Sequence, residues 1–369
     1  MVIFFIIFAV VLQVVIFLTH WFLYLTLVRF LNISDPTILL WLKIILGILS
    51  LTFVSASLLA NLSDNILVRV YYSIAAFWLG ALMYLFLAAC IVRLGALLAQ
   101  YLTFALNAKL LAEILFILAL AVSVYGTINA SLVRITRLNI ALPNLPVSWQ
   151  GKTAVWVSDI HLGEVRNAGF AKEVAAMIRQ LRPDIVFIGG DLYDGTAVNL
   201  PKVTAPFDKL GAPWGTYFIT GNHEEFDGKE KFMAAVRQTD IRILNNEMIN
   251  VNGLQIIGVD YQDTANTQNF KKILQGINFN RGQASILFKH APTDIPEARA
   301  AGIFLQISGH AHAGQLWPVG LISNLVYKGY IYGLKSSGNF MIYTSSGAGT
   351  WGPPLRVGTV PEIVLIKFQ

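Results

Sequence analysis

The chain has 369 residues, a net charge of +6 and 55% hydrophobic residues, which allows two domains and excludes an ordinary soluble protein. Residues 1–140 carry only Arg29, Lys43, Arg69, Arg93, Lys109, Arg134, Arg137, Asp35, Asp64 and Glu113; taking these from totals of 27 basic and 21 acidic leaves 20 and 18. The C-terminal part is therefore near neutral and no nucleic-acid partner is expected, while the single cysteine, Cys90, excludes an intrachain disulfide and a cysteine-based zinc cluster.

Spanning a bilayer takes about 20 apolar residues as helix. Four segments qualify, at about 2–28, 38–60, 70–92 and 110–128, within a transmembrane region assigned to residues 1–135. "RFLNISDP" and "NLSDN" are polar turns between them, and "LGALLAQYLTFALNAK" is a longer break with room for an interfacial helix. The first segment is too long, and lacks the basic prelude, for a cleaved signal peptide. Arg29, Lys43, Arg93 and Lys109 favour one orientation and Arg69, Arg134 and Arg137 the other. The tie-breaker is the first span, uncharged before and followed by Arg29, which favours an outside N-terminus. With an even number of spans, the C-terminal domain then lies outside the cytoplasm too. His20, Lys43 and Glu113 lie in or near the spans, where ionisable groups mark function by default, but snorkelling and interfacial packing account for them as well.

Residues 136–150 read as a proline-punctuated linker and residues 151–369 as a globular domain. The β-rich runs are "TAVWVSD", "DIVFIGGD", "TYFITGN", "LQIIGVD", "ASILFKH", "IFLQISGH", "FMIYTSSG" and "EIVLIKF". Helices are expected at 168–181, 229–237, 269–274 and 292–300, giving an α/β fold of sheets covered by helices. Most of these strands end in a polar side chain: Asp159, Asp191, Asn222, Asp260, His290 and His310. Ligand crevices of open α/β sheets lie at the carboxyl ends of strands, so these groups converge on one rim. Five of the six histidines lie on that rim or one step beyond it.

Four stretches carry the chemistry. "SDIHLG" supplies Asp159 and His161, "GGDLYDG" supplies Asp191 and Asp194, "GNHEE" supplies Asn222, His223 and Glu224, and "KHAP" with "GHAHAGQ" supplies His290, His310 and His312. Mixed carboxylate, amide and imidazole donors suit Mn²⁺, Fe, Zn²⁺ or Ni²⁺ better than Ca²⁺ or Mg²⁺. Such a set is too large for one tetrahedral ion and right for two. Each motif alone has an ordinary structural explanation: an Asp capping the next helix, a glycine turn, a packed histidine before proline. Their joint occurrence on strand ends, in this order, is what those explanations do not cover.

The order D-x-H, G-D, G-N-H-E, H, G-H-x-H resembles the calcineurin-like metallophosphoesterases across most of residues 151–369. Within them it is similar to a membrane-associated bacterial branch that includes phosphodiesterases related to the UDP-2,3-diacylglucosamine hydrolases of lipid A synthesis. The resemblance implies a two-sheet αββα sandwich and two divalent metal ions. Asp159, His161 and His312 would hold one ion, Asn222, His290 and His310 the other, and Asp191 would bridge them. A metal-bridging hydroxide would attack a phosphodiester or pyrophosphate, with His223 assisting the leaving oxygen. Glu224 could orient His223, and Asp194 could support a histidine ligand. His310 and His312, two apart on an extended segment, would point the same way.

Arg356, in "GPPLRVG", is a candidate phosphate clamp, a packed surface arginine being the alternative. Residues 316–335, "LWPVGLISNLVYKGYIYGLK", are rich in aromatics and carry only Lys328 and Lys335 as charges. They read either as a lipid-facing lip suited to an amphiphilic phosphoester substrate or as a hairpin packed on the core. Two non-hydrolase classes remain: a metal-bound sensor or interaction module, against which His223 argues, and a transporter regulated by the phosphoesterase, for which no internal repeat speaks.

Overall fold

Side-chain caps set the helix boundaries in the N-terminal part. Asp35 accepts hydrogen bonds from the Thr37 and Ile38 amides, and Asn65 from those of Leu67 and Val68, so helices start where the polar turns were read. In this computed structural model, which describes residues 2–195, 198–225 and 228–369, the helices are α1 (Val2–Phe30), α2 (Pro36–Leu62), α3 (Ile66–Tyr101) and α4 (Ala108–Ala130). All four are long and apolar enough to cross a membrane. The expected break after residue 92 is instead a continuation of α3, whose 36 residues exceed what a bilayer core requires. Leu94, Leu97 and Leu98 are strong helix formers and carry the helix through this stretch.

The ionisable groups of this half have local partners. His20 meets the Ile16 carbonyl through Nδ1 at 2.8 Å and accepts from Trp78 Nε1 at 2.9 Å. Lys43 lies over the Tyr24 ring, and Glu113 faces Lys109 one turn back. These contacts account for all three without a transport pathway.

The chain divides into two compact units, Met1–Ile128 with Gly352–Leu355, and Asn129–Trp351 with Arg356–Gln369. The second unit begins its fold with β1 (Arg134–Ile140), followed by β2 (Thr153–Val157), α5 (Ala168–Leu181), β3 (Ile185–Ile188), α6 (Leu200–Thr204), β4 (Thr216–Phe218), α7 (Lys229–Val236) and β5 (Arg242–Ile243). There follow β6 (Glu247–Val251), β7 (Leu254–Gly258), α8 (Thr267–Gly276), β8 (Ser285–Phe288), α9 (Ile295–Ala300), β9 (Leu305–Ser308), α10 (Val319–Val326), β10 (Gly333–Ser337), β11 (Phe340–Thr344) and β12 (Glu362–Phe368). All eight β-rich runs are strands. The segment read as a linker from 136 contains most of β1, an edge strand whose arginines disguise it in the sequence and blunt the sheet edge.

One sheet has the order β1-β12-β2-β3-β4-β5, the other β10-β11-β9-β8-β7-β6. Strands β2 to β5 are mutually parallel, as are β7, β8, β9 and β11, so each sheet delivers several carboxyl ends to one edge. Between the sheets pack Trp156, Phe187, Phe288, Ile256 and Ile366. The outer face of the first sheet packs Val155 and Val157 on Val174 and Ile178 of α5 and Phe232 of α7, and that of the second packs Ile257 and Leu287 on Phe270 and Leu274 of α8. This is the αββα sandwich. Burying each large side chain contributes about 1.5–3 kcal/mol, which holds the two strand-end rims rigidly in register.

Candidate metal centre

Each candidate ligand sits just past a strand, where the parallel register ends. Asp159 and His161 follow β2, Asp191 follows β3, Asn222 and His223 follow β4, His290 follows β8, and His310 and His312 follow β9. Five of them occupy the left-handed region: Asp159 (φ 53°), His161 (52°), Asp191 (50°), His310 (67°) and His312 (48°). That conformation costs about 1–3 kcal/mol per residue and is concentrated where function requires it, although Asp and His tolerate it better than most. It also corrects the extended reading of "GHAHAGQ". Ala311 between the histidines is right-handed and His312 opens a 3-10 turn, so the pair converges by curling the chain rather than by strand alternation. Close approach of the loops requires glycine at two points. A Cβ on Gly309 would fall 2.2 Å from Asp159 Oδ2, and one on Gly221 2.2 Å from Asp191 Oδ1.

Among the described residues three groups of ligand-type atoms result: Asp159, His161 and His312; Asp191, His290 and His310; and His161, Asp194 and His223, each with its atoms within 4.8 Å of one another. The first brings together Asp159, His161 and His312, and the second brings His290 and His310 to Asp191. His161 Nε2 lies 3.0 Å from His312 Nε2, which is 3.5 Å from Asp159 Oδ1. In the second group His290 Nε2 is 3.1 Å from Asp191 Oδ2. Asn222 Oδ1 is 2.7 Å from His310 Nδ1, which brings the amide into the same group. Asp191 Oδ2 also lies 3.8 Å from His161 Nε2, so it faces both groups.

The residues fit divalent cations on a specific ground. His290 Nδ1 donates to the Gly189 carbonyl at 2.8 Å, which turns Nε2 inward, where the fully buried atom has no hydrogen-bond partner. In the neutral ring Nε2 presents a lone pair, and it faces a carboxylate oxygen that also has only lone pairs. Only a proton or a metal cation between them reconciles that contact. In His161 the pattern is reversed: the buried Nδ1 faces the Asp194 carboxylate at 3.3 Å without a hydrogen bond, and Nε2 lies 3.0 Å from His312 Nε2.

The electrostatics agree. Burial alone would raise the Asp191 carboxyl, but His290, followed by His223 and His161, holds it well below the usual carboxylate range. Burial lowers His310 to about 3 and His312 well below 6.5, keeping both rings neutral and able to ligate. Burial would also lower His290, yet Asp191 and then Asp159 raise it from 6.5 to about 9. In the metal-free chain this proton therefore stabilises the fold fully below pH 6.5, and the contribution is lost as pH rises through about 9. A metal ion displaces the same proton, so apparent metal affinity is expected to rise by up to about tenfold per pH unit between pH 6 and 8. Competition against a chromophoric chelator measures it, and a flat profile removes His290 from the ligand set.

The flanking residues correct two expectations. Glu224 does not orient His223; its fully buried carboxylate accepts from the amides of Gly221 (2.7 Å), Asp191 (2.9 Å) and Tyr193 (3.2 Å), clamping the β3 and β4 loops together. Burial and the Asp191 charge push it up to about 7. Arg356 is no phosphate clamp. It is fully buried and donates to the carbonyls of Ser346, Gly349 and His312, with Nη2 3.1 Å from His312 Nδ1. It therefore ties the loop after β11 to the histidine turn. Asp260, also on the strand-end rim, turns away to Thr220 and Lys229 and belongs to none of the metal-type groups.

His223 lies beside His161, with ring centroids 4.5 Å apart, and its Nδ1 is 3.1 Å from the Asp194 carbonyl. Burial and then His161 lower its pKa below 6.5. An aromatic rim surrounds the centre: Tyr261 and Tyr327 at 6.0 and 5.8 Å from the His310 ring, and Trp351 at 6.4 Å from His223. Sequence reading named neither tyrosine, although Tyr327 lies in the aromatic segment 316–335 and Tyr261 directly follows the strand-end Asp260.

Comparison with known proteins agrees with this geometry. Residues 153–314 match the family profile described as calcineurin-like phosphoesterase. An uncharacterized metallophosphoesterase of Helicobacter pylori (strain J99) is 33% identical over 218 residues, 58% of this chain and 59% of that one, so the chain spans about three fifths of its length. An uncharacterized metallophosphoesterase of Aquifex aeolicus is 30% identical over 259 residues, 68% of this chain and 98% of its own. A transmembrane protein with metallophosphoesterase domain from Danio rerio is 28% identical over 309 residues, 78% of this chain and 70% of that one.

Proposed function

Because the chain belongs to the calcineurin-like metallophosphoesterase family, we propose that it is a membrane-anchored dinuclear hydrolase of phosphodiesters or pyrophosphates, acting on an amphiphilic phosphoester. The observation that carries the reading is the lone-pair contact between His290 Nε2 and Asp191 Oδ2 in a carboxylate shared by two ligand groups. Asp159, His161 and His312 would hold one divalent ion and Asn222, His290 and His310 the other, with Asp191 common to both; Mn, Fe, Zn and Ni all suit the donors. When bound, such ions polarise phosphoryl oxygens and make water acidic enough to serve as nucleophile near neutral pH.

The chain's own residues supply orientation and protons. The Asp194 carboxylate faces His161 Nδ1 at 3.3 Å and its carbonyl meets His223 Nδ1 at 3.1 Å, which sets the orientation of both rings. As the new oxygen–phosphorus bond forms and the old one breaks, the leaving oxygen takes its proton from His223. Glu224 and Arg356 keep the loops in place. The aromatic rim of Tyr261, Tyr327 and Trp351 favours a substrate whose leaving group or acyl portion is apolar.

The charge asymmetry of α1 supports an extracytoplasmic domain. One experiment tests activity and side together. After chelation and metal readdition, sealed right-side-out vesicles are expected to hydrolyse impermeant bis-p-nitrophenyl phosphate without permeabilisation. Absence of turnover across a divalent-metal screen in detergent would sink the hydrolase reading, and turnover that requires permeabilisation would reverse the orientation.

A further inference from the structure

Helix α10 has an unusual surface for a domain of this kind. The other helices of the second unit, α5 to α9, each bury at least one side chain, whereas α10 buries none. Leu321, Ile322, Leu325 and Val326 are between 62 and 78% exposed, and Trp317 just before the helix is 60% exposed. In water, so dense an apolar patch is unfavourable, which marks it as an interaction surface.

Its position ties it to the metal centre. The helix follows the turn carrying His310 and His312, and Gly320 packs so closely on Gly314 that a Cβ on Gly314 would lie 2.1 Å from the Gly320 Cα. At its far end Tyr327 meets the His310 ring. Trp351, also 60% exposed, joins the same turn through two hydrogen bonds between its backbone and the Gln315 side chain, each 2.9 Å.

The composition around α10 selects the occupant. From Ala298 to Pro361 the sequence has no carboxylate, while Lys328 and Lys335 are basic and Trp317 and Tyr332 are of the residue types enriched at membrane–water boundaries. A basic, acid-free, aromatic-flanked apolar helix suits anionic headgroups over acyl chains better than a protein surface. A bilayer is also at hand, since the chain carries four helices able to cross one and only three residues separate α4 from β1.

We propose that α10 and Trp317 seat in the headgroup–acyl boundary of a bilayer, so that the metal centre opens at the level of lipid phosphates. The seating stands on the surface itself; its consequence, preference for phosphoesters presented in a bilayer, rests on the hydrolase reading.

The test uses the full chain in vesicles of phosphatidylcholine and phosphatidylglycerol, on a Cys90→Ser background. An environment-sensitive fluorophore on Ile322→Cys or Leu325→Cys is expected to shift to the blue and to be quenched by acyl-chain nitroxide lipids. The same label on Asn278→Cys, an exposed position after α8, should do neither. Solvent-like emission at 322 and 325 overturns the seating, as does a blue shift without lipid quenching, the signature of a second copy or another protein on the helix. In the activity arm, Leu321→Glu with Leu325→Glu should lower turnover of phosphatidyl-p-nitrophenol in these vesicles by about tenfold or more, leaving soluble bis-p-nitrophenyl phosphate within about twofold. Equal loss on both substrates, or no loss on either, overturns the substrate consequence. If wild type hydrolyses neither, the hydrolase reading fails, and quenching alone decides the seating.

Discussion

Asp191→Ala is expected to abolish hydrolysis of bis-p-nitrophenyl phosphate, by about 10³-fold or more, and to lower bound metal in the same preparation. Asp191 is the carboxylate that faces both ligand groups, with Oδ2 3.1 Å from His290 and 3.8 Å from His161, while Oδ1 accepts the His223 amide at 2.9 Å. Removing it takes away the negative charge that His290, His223 and His161 face, so metal ions would lose a common ligand and the His223 amide its acceptor. A second strand-end carboxylate provides the contrast. Asp260 is equally buried but is occupied by Thr220 and Lys229, so Asp260→Asn should cost stability, about 1–3 kcal/mol, and retain metal and turnover. Elemental analysis, steady-state rates and thermal unfolding of both variants decide the matter. Undiminished turnover in Asp191→Ala, or metal loss in Asp260→Asn equal to that in Asp191→Ala, would break the assignment of Asp191 as the shared ligand.

The legibility of this fold follows from which physical signals are local. The interior strands read clearly because both faces are buried, as in "IVFI" of β3 and "LQIS" of β9, leaving short apolar runs with a polar group where burial stops. The edge strands did not, because β1, β5, β6 and β10 bury little and mix charge with apolar residues. Helix α10 was hidden for a related reason: its composition is that of a strand or a lipid-facing segment, and only the three-dimensional placement of Gly320 on Gly314 shows how it starts. The site was legible as a set of residues but not as a shape. Residue types at strand ends announce ligands, whereas the curl of "GHAHAGQ" depends on left-handed backbone that Asp159 and Gly309 allow through tertiary contact. The roles of Arg356 and Glu224 are not legible in the sequence: a loop arginine normally faces water or ligand, and adjacency to His223 does not show that the Glu224 carboxylate turns to backbone amides instead. Both are fully buried, and both satisfy backbone groups contributed by more than one loop.

His223→Ala should leave metal binding intact and separate substrates by their leaving groups. The ring belongs to the third group, with His161 and Asp194, rather than to either of the two groups assigned to ions, and its Nδ1 meets the Asp194 carbonyl at 3.1 Å, which fixes its orientation. Burial and the neighbouring His161 lower its pKa, so the protonated form dwindles at a pH below the ordinary 6.5 and a general-acid limb should fall there in wild type. A p-nitrophenolate leaves readily without a proton, whereas an alkoxide does not. The variant is therefore expected to lose about 10²- to 10⁴-fold in kcat on alkyl phosphodiesters and much less on bis-p-nitrophenyl phosphate, with the limb that descends as pH rises gone from the alkyl profile. A structural role would depress both substrates alike and leave the profile's shape unchanged. Equal losses, with metal content held at the wild-type level, would therefore remove His223 from the proton-transfer role and place the acid elsewhere on the rim.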